Sequence, residues 1–260
     1  MFVKKRLCGN IDSLPIPLYN SKDCTLNRKG PMKKHYPWLW FDADGTLFDY
    51  NRAEATAFRK TLALLRFQFE DRYLEAYQRI NRELWKALER HEITPAALRV
   101  KRFELLLEAL HLNGSADDLN IAYVEQLGLC TDLMDGAYEV LERLHRHSRI
   151  AVVTNGLEAV QRSRMEHSMI RPFITALIIS EEVGAAKPQP AYFDAAFART
   201  GNPPKRDVLI IGDSLTSDMQ GGLDYGIDTC WYNPSGELKP QDLPVTYEIR
   251  HLRELLDIVG

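Results

Sequence analysis

The spacing of apolar residues changes period twice along the chain. Residues 1–36 carry neither a helical nor an alternating repeat and are rich in Pro, Asn, Lys and Gly, which predicts an irregular N-terminal arm. Met32, just ahead of the first patterned segment, stands as an alternative start. WLWF at 38–41 is a short apolar run that stops at acidic residues and a glycine, the pattern of a buried parallel strand. From about Arg52 to Leu129 only helical periodicity is found. AFRKTLALL, YLEAYQRINRELWKALER and PAALRVKRFELLLEALHL each repeat apolar residues every three or four positions, so four or so helices are expected. Pro95 suits the first turn of the last of these, with Thr94 as its N-cap.

The second half reads differently. RIAVVTN (149–155), ALIIS (176–180), DVLIIGDS (207–214) and DTCWYN (228–233) are short β-rich runs. Between them lie GAYEVLERLHRH, LEAVQRSRMEHS, PAYFDAAFART and TSDMQGGLDYG, all with helical spacing. Alternating strands and helices predict a parallel sheet with helical crossovers, and the strand at 38–41 joins it. The predicted fold class is α/β, a doubly wound parallel sheet carrying an inserted α-helical cap. Its expected parts are the arm 1–36, a catalytic core of 37–51 and 131–260, and a cap of 52–130.

Composition excludes several classes. With 260 residues, 45% of them apolar and 27% charged, the chain has ample material for a core and is not a disordered polymer. A net charge of −3 does not suit a nucleic-acid binder. No apolar run approaches the roughly 18 residues that a membrane span needs. The four cysteines, Cys8, Cys24, Cys130 and Cys230, form neither a metal-ligand spacing nor a disulfide framework. Lys4, Lys5 and Arg6 are not followed by an apolar stretch, so no secretory leader is legible and a cytoplasmic location is expected.

Open α/β sheets bind ligands at the carboxyl ends of their strands. There the chain puts Asp42-Ala43-Asp44-Gly45-Thr46 after the first strand and Thr154-Asn155-Gly156 after the second. Lys187-Pro188 follows the third, and Gly212-Asp213-Ser214, with Asp218 further on, follows the fourth. Carboxylates gathered at one edge repel and call for a cation, and an all-oxygen donor set suits Mg²⁺ better than zinc. Lysine and hydroxyl donors facing them suit a phosphoryl group. A carboxylate can attack phosphorus and form an acyl phosphate, splitting one hard step into two. Asp42 and Asp44, two positions apart on extended backbone, point the same way, so one can attack while the other handles protons. Taken singly, Asp-Gly is a turn signal and Thr154 with Asn155 a strand-end cap; order and shared placement carry the reading.

These motifs, over about residues 37 to 255, resemble the haloacid dehalogenase superfamily in its branch with a helical cap after the first strand. The resemblance implies Asp42 as nucleophile and Asp44 as the acid and base that serves the leaving oxygen and then water. It implies Thr154 and Lys187 as catalytic ligands of the transferring phosphoryl group, with Asn155 and Gly156 beside them in substrate binding. Mg²⁺ is implied as cofactor, held by Asp42, Asp213 and the backbone carbonyl of Asp44, with Asp218 orienting that set from behind. An aspartate at position 44 argues for phosphorus chemistry, because the carbon-directed dehalogenases lack it. FDADGTLFDY, NRELW, ITPAALRVKRFE, ISEEVGAAKP and CWYN resemble, more narrowly, the bacterial pyrimidine nucleotidases. That implies hydrolysis of pyrimidine nucleoside 5′-monophosphates such as dUMP, UMP and dTMP, a small phosphate monoester as partner, and neither nucleic acid nor membrane. The N-terminal arm departs from that pattern. A sugar-phosphate phosphatase or phosphomutase on the same core, and a non-catalytic binding module, are the alternative readings.

Other residues invite plainer readings. Tyr77, Trp85 and Phe103 at helical spacing read as cap core, the alternative being that Trp85 or Phe103 stacks on a base. Arg99, Lys101 and Arg102 read as a solvated face, the alternative being that one reaches a nucleotide, and His145 and His147 as exposed groups near a helix end. Phe48 and Asp49 fall where a mobile hinge between core and cap is expected.

Overall fold

Strands form in the second half of the chain because their side chains find apolar cover on both faces of a sheet. The computed structural model describes residues 34–90 and 92–259. Its first half runs β1 (Trp38–Phe41), α1 (Tyr50–Leu64), α2 (Asp71–Glu89), α3 (Pro95–Leu110), α4 (Ala116–Gly128) and α5 (Ala137–Leu144). Next come β2 (Arg149–Thr154), α6 (Glu158–His167), β3 (Ile174–Ile179), α7 (Ser180–Val183) and α8 (Pro190–Arg199). The remainder is β4 (Val208–Gly212), α9 (Gln220–Tyr225), β5 (Asp228–Tyr232), β6 (Tyr247–Ile249) and α10 (Leu255–Ile258). All six strands are parallel, in the order β3-β2-β1-β4-β5-β6.

Alternation along each strand decides which layer it feeds. Trp38, Trp40, Ala151, Val153, Val208 and Ile210 pack against Tyr192, Phe193 and Phe197 of α8. Leu39, Phe41, Ile150, Val152, Leu209 and Ile211 face the other way, against Val140, Leu141 and Leu144 of α5 and Leu255 of α10. Trp40 sits opposite Ala151 on one side and Ile210 on the other, which makes β1 the centre of the sheet. The winding reverses between β1 and β4, the position where such sheets open a crevice.

Helices α1–α4 close around a separate apolar cluster. Tyr77 is its hub, with ring centroids 4.7 Å from Phe58, 5.5 Å from Phe103 and 5.2 Å from Tyr123. The Thr94 hydroxyl accepts from the Ala97 amide, the cap expected for α3. One sequence reading fails here. Arg102 is not on a solvated face: it is buried, its guanidinium 4.7 Å from the Tyr123 ring centroid and donating to Asn120 Oδ1. Its aliphatic stem and flat cation suit an aromatic wall better than a lysine would, and spacing alone does not reveal that. Arg99 is also engaged, in an ion pair with Glu181 at 2.6 Å, whereas Lys101 is exposed.

Two antiparallel connections join the helical block to the sheet. Phe48 bridges Leu133, the Asp49 amide donates to Asp132 O and the Met134 amide to Leu47 O. Phe48, expected at a mobile hinge, is fully buried, and Asp49 caps α1 by accepting from the Arg52 amide. Leu157, the N-cap of α6, and Val160 within it belong to the helical block's cluster, so α6 packs on both parts.

Smaller differences from the sequence reading have local causes. β6 is only three residues long and offers no alternation to detect. The helix expected over 216–226 opens with a π-helical turn, Leu215–Met219, before α9. Of the arm expected over 1–36, only Lys34–Tyr36 falls among the described residues; Met32, Cys8 and Cys24 lie outside them. The Lys34 amide donates to Ile258 O, and Tyr36 is buried with its hydroxyl on Asp228. Cys130 and Cys230 are buried free thiols. His145 and His147 are exposed, as expected. No described helix is long and apolar enough to cross a membrane.

Tyr77→Ala empties the middle of the aromatic cluster and is expected to lower the unfolding free energy by about 3–5 kcal/mol in a denaturant titration. A loss under about 1 kcal/mol would show that the cluster is not centred on Tyr77.

Candidate active site

The loop leaving β1 is shaped by hydrogen bonding before any ligand is considered. The Asp42 amide continues the sheet by donating to Ile211 O at 2.8 Å, and the Gly45 amide donates back to Phe48 O. Gly45 has φ +84°, and a Cβ there would lie 2.6 Å from Asp213 Oδ2, so both conformation and space require glycine. The Thr46 hydroxyl donates to Asp213 Oδ1. The first and fourth strand ends are thereby tied together.

Lys187 occupies the centre. It is 3% exposed, and its Nζ donates to Asp42 Oδ1 at 2.6 Å, Asp218 Oδ1 at 2.6 Å and Val153 O at 2.7 Å. All three ammonium protons are therefore committed to protein acceptors. Asn155 holds the lysine's backbone from both sides: Nδ2 donates to Lys187 O and Oδ1 accepts from Lys187 N, each at 2.9 Å. Thr154 is buried and its hydroxyl oxygen accepts from the Gly156 amide.

Asp42, Asp213 and Asp218 offer carboxylate oxygens within 4.8 Å of one another. Burial pushes the Asp42 carboxyl well above the usual carboxylate range; Lys187 pulls it back, while Asp218 and Asp213 push it further up. Asp213 is pushed up to about 6, first by the protein around its carboxyl and then by Asp218. At Lys187, burial works against the charge, but Asp218 and Asp42 outweigh it and hold the ammonium on. One lysine, bonded to two of them, thus stands against three crowded acids. The deficit of positive charge and the all-oxygen donors fit a hard divalent cation.

Asp44 stands apart from this cluster. Its carboxylate accepts from Gln161 Nε2 at 2.5 Å and from the Nη1 of Arg164, a residue with no exposed surface. Gly156 makes room for that arrangement, since a Cβ there would lie 2.2 Å from Gln161 Nε2.

Asp42, Asp44, Thr154, Asn155, Gly156, Lys187, Asp213 and Asp218 all line one cavity of about 650 Å³. Tyr50, Asn51, Trp85 and Glu89 line it from the helical block. Tyr50 is held there by a buried network in which Asn81 Nδ2 donates to both the Tyr50 hydroxyl and Glu54. Of the two aromatic residues considered for stacking, Trp85 reaches the cavity and Phe103 is fully buried. Sequence reasoning missed Gln161 and Arg164, and it placed Thr46 at the strand end without its bond to Asp213. Gln161 and Arg164 are separated by a helical three-residue step on α6, but nothing local signals a partner 117 to 120 positions away.

A family model described as haloacid dehalogenase-like hydrolase matches residues 38–226. Pyrimidine 5′-nucleotidase YjjG of Escherichia coli is 34% identical over 221 residues, covering 85% of this chain and 96% of that protein. Pyrimidine 5′-nucleotidase PynA of Streptococcus pneumoniae is 32% identical, covering 85% and 94%. The crystal structure of the HAD-hydrolase YfnB of Bacillus subtilis, bound to magnesium, superposes with a TM-score of 0.82 at 34% identity, over 87% of this chain and 100% of that one.

Because Asp213 holds its proton up to about pH 6 in the fold against a free value of 3.8, the native state binds more protons than the unfolded chain across that window. Its contribution to stability therefore falls as pH rises through the window. Asp213→Asn is expected to raise the melting temperature of the metal-free protein at neutral pH, with the gain fading toward the acid end. Added divalent cation should stabilise the wild type more than the variant. A lower neutral-pH melting temperature, or an equal response to cation, would contradict the assignment.

Proposed function

The chain belongs to the haloacid dehalogenase-like hydrolases, and on that footing we propose that it is a Mg²⁺-dependent phosphatase that removes the 5′-phosphate of pyrimidine nucleoside monophosphates. The observation that carries this reading is a lysine-clamped aspartate, with two more carboxylates beside it, on the floor of a cavity whose other wall is a helical insertion. The nucleotidase names of the two bacterial relatives supply the substrate class.

Asp42 is the nucleophile. Lys187 fixes Oδ1, which leaves Oδ2 to attack phosphorus in line with the ester oxygen. The P–O ester bond breaks as the new bond forms, and Asp44 passes a proton to the departing oxygen. In the second step Asp44 takes a proton from water, and the resulting hydroxide attacks the phosphorus of the aspartyl phosphate and releases Asp42. The Thr154 hydroxyl, held from behind by the Gly156 amide, faces the phosphoryl group. With its protons on protein oxygens, Lys187 acts by its charge and by aiming Asp42. Asp42, Asp213 and the Asp44 backbone carbonyl would hold Mg²⁺, which supplies charge neutralisation between attacking carboxylate and phosphate. We assign the 52–130 insertion the part of the cap that reads the leaving group, with Trp85 as the face on which a base stacks.

Phosphate release is expected to require Mg²⁺, to rank deoxyuridine and thymidine monophosphates above sugar phosphates, and to fall at least about 10³-fold in Asp42→Asn. Equal rates on sugar phosphates favour the sugar-phosphate alternative. Undiminished turnover by Asp42→Asn would remove the nucleophile.

A further inference from the structure

The four motifs at the strand ends do not account for Gln161 and Arg164, yet both are aimed at the site. They project from one face of α6, are 2% and 0% exposed, and meet opposite oxygens of Asp44: Arg164 donates to Oδ1 and Gln161 to Oδ2. The guanidinium lies 5.1 Å from the Phe48 ring centroid, and Phe48 is pinned between Asp44 and Leu133 by backbone pairing. Arg164 Nε and Nη2 are buried without a hydrogen-bond partner, and among the described residues Asp44 is its ion-pair partner. A fully buried cation with two unsatisfied nitrogens is an expensive way to fill space, and an apolar residue of similar volume would pack more cheaply. The arrangement is built around the carboxylate it holds.

We propose that Gln161 and Arg164 are positioning residues that fix the direction in which the Asp44 carboxylate presents its oxygens to the leaving group. The proposal rests on the phosphatase reading above, in which Asp44 gives the ester oxygen its proton. Arg164, a donor only, anchors Oδ1. The Gln161 side-chain amide donates to Oδ2 from the same helix face, so both oxygens are held while each keeps a lone pair to turn toward the leaving group. Gly156 keeps the space in which that amide lies. The Glu158 amide in the first turn of α6 donates to Glu181, which also pairs with Arg99 of the insertion, so the helix carrying both residues is fastened from the cap side.

The test compares two substrates of the Mg²⁺-loaded enzyme. A nucleoside leaves only if its oxygen is protonated, whereas nitrophenolate leaves without help, and kcat/KM reports the reaction only as far as P–O cleavage. The readout is the ratio of kcat/KM for deoxyuridine monophosphate to that for p-nitrophenyl phosphate. Asp44→Asn is the control and should lower this ratio about 100-fold. Gln161→Leu and Arg164→Met should each lower it about tenfold or more, and Arg164→Lys, which keeps a donor and a charge, should recover part of the loss. A residue that only supports the fold would depress both substrates alike. If Arg164→Met does not fold, Gln161→Leu decides, since it keeps a side chain of similar size and removes the amide that meets Asp44. A ratio within about threefold of wild type in Gln161→Leu, while Asp44→Asn shows its drop, overturns this proposal alone. An unchanged ratio in Asp44→Asn overturns the role given to Asp44, and this proposal with it.

Discussion

A buried ammonium shared by two carboxylates is the constraint around which the site is arranged. Lys187 reaches Asp42 at the end of β1, Asp218 beyond the end of β4 and the carbonyl of Val153 in β2, each at 2.6–2.7 Å. The two acids lie in separate stretches of the chain and would repel at this separation; the lysine makes their proximity tolerable. Taking away either side strands the other in a low-dielectric interior, so the three groups stand or fall together. The compensation is incomplete, because Asp213 joins the cluster without a cation of its own among the described residues. That residual imbalance suits the strand edge to a hard cation.

Around this centre the fold supplies rigidity and a wall. The parallel sheet fixes the strand ends to within the precision of its register, and the reversal between β1 and β4 leaves the crevice open. The helical insertion brings a core of its own centred on stacked aromatic rings, so it can present Tyr50, Trp85 and Glu89 to the cavity as a preformed surface. Helix α6 belongs to both parts. It shares the insertion's apolar cluster through Leu157 and Val160 and sends Gln161 and Arg164 to Asp44.

Much of this was legible in the chain because its signals are local. The strand ends and their acids follow from apolar runs stopped by charged residues and glycine, and the Thr94-Pro95 cap from two adjacent residues. What was not legible depends on distant partners or on residues with two faces. Arg102 reads as a surface cation until an aromatic wall is built over it by another helix. Asn155 reads as a substrate ligand, whereas its amide is spent on the Lys187 backbone 32 residues away. Gln161 and Arg164 look like ordinary helix surface, and only the packing of α6 against the loop after β1 gives them a purpose. β6 escaped because three residues hold no period.

The central claim is that the oxygen left free by the Lys187 clamp makes a covalent bond to phosphorus. Its most direct test is to quench the enzyme in acid during turnover of a phosphate-labelled nucleotide and to map the labelled peptide. The account predicts an alkali-labile phosphoryl group on the peptide containing Asp42, at that residue. Label on any other side chain, or none under conditions where turnover is demonstrated and breakdown of the intermediate limits the rate, would contradict it.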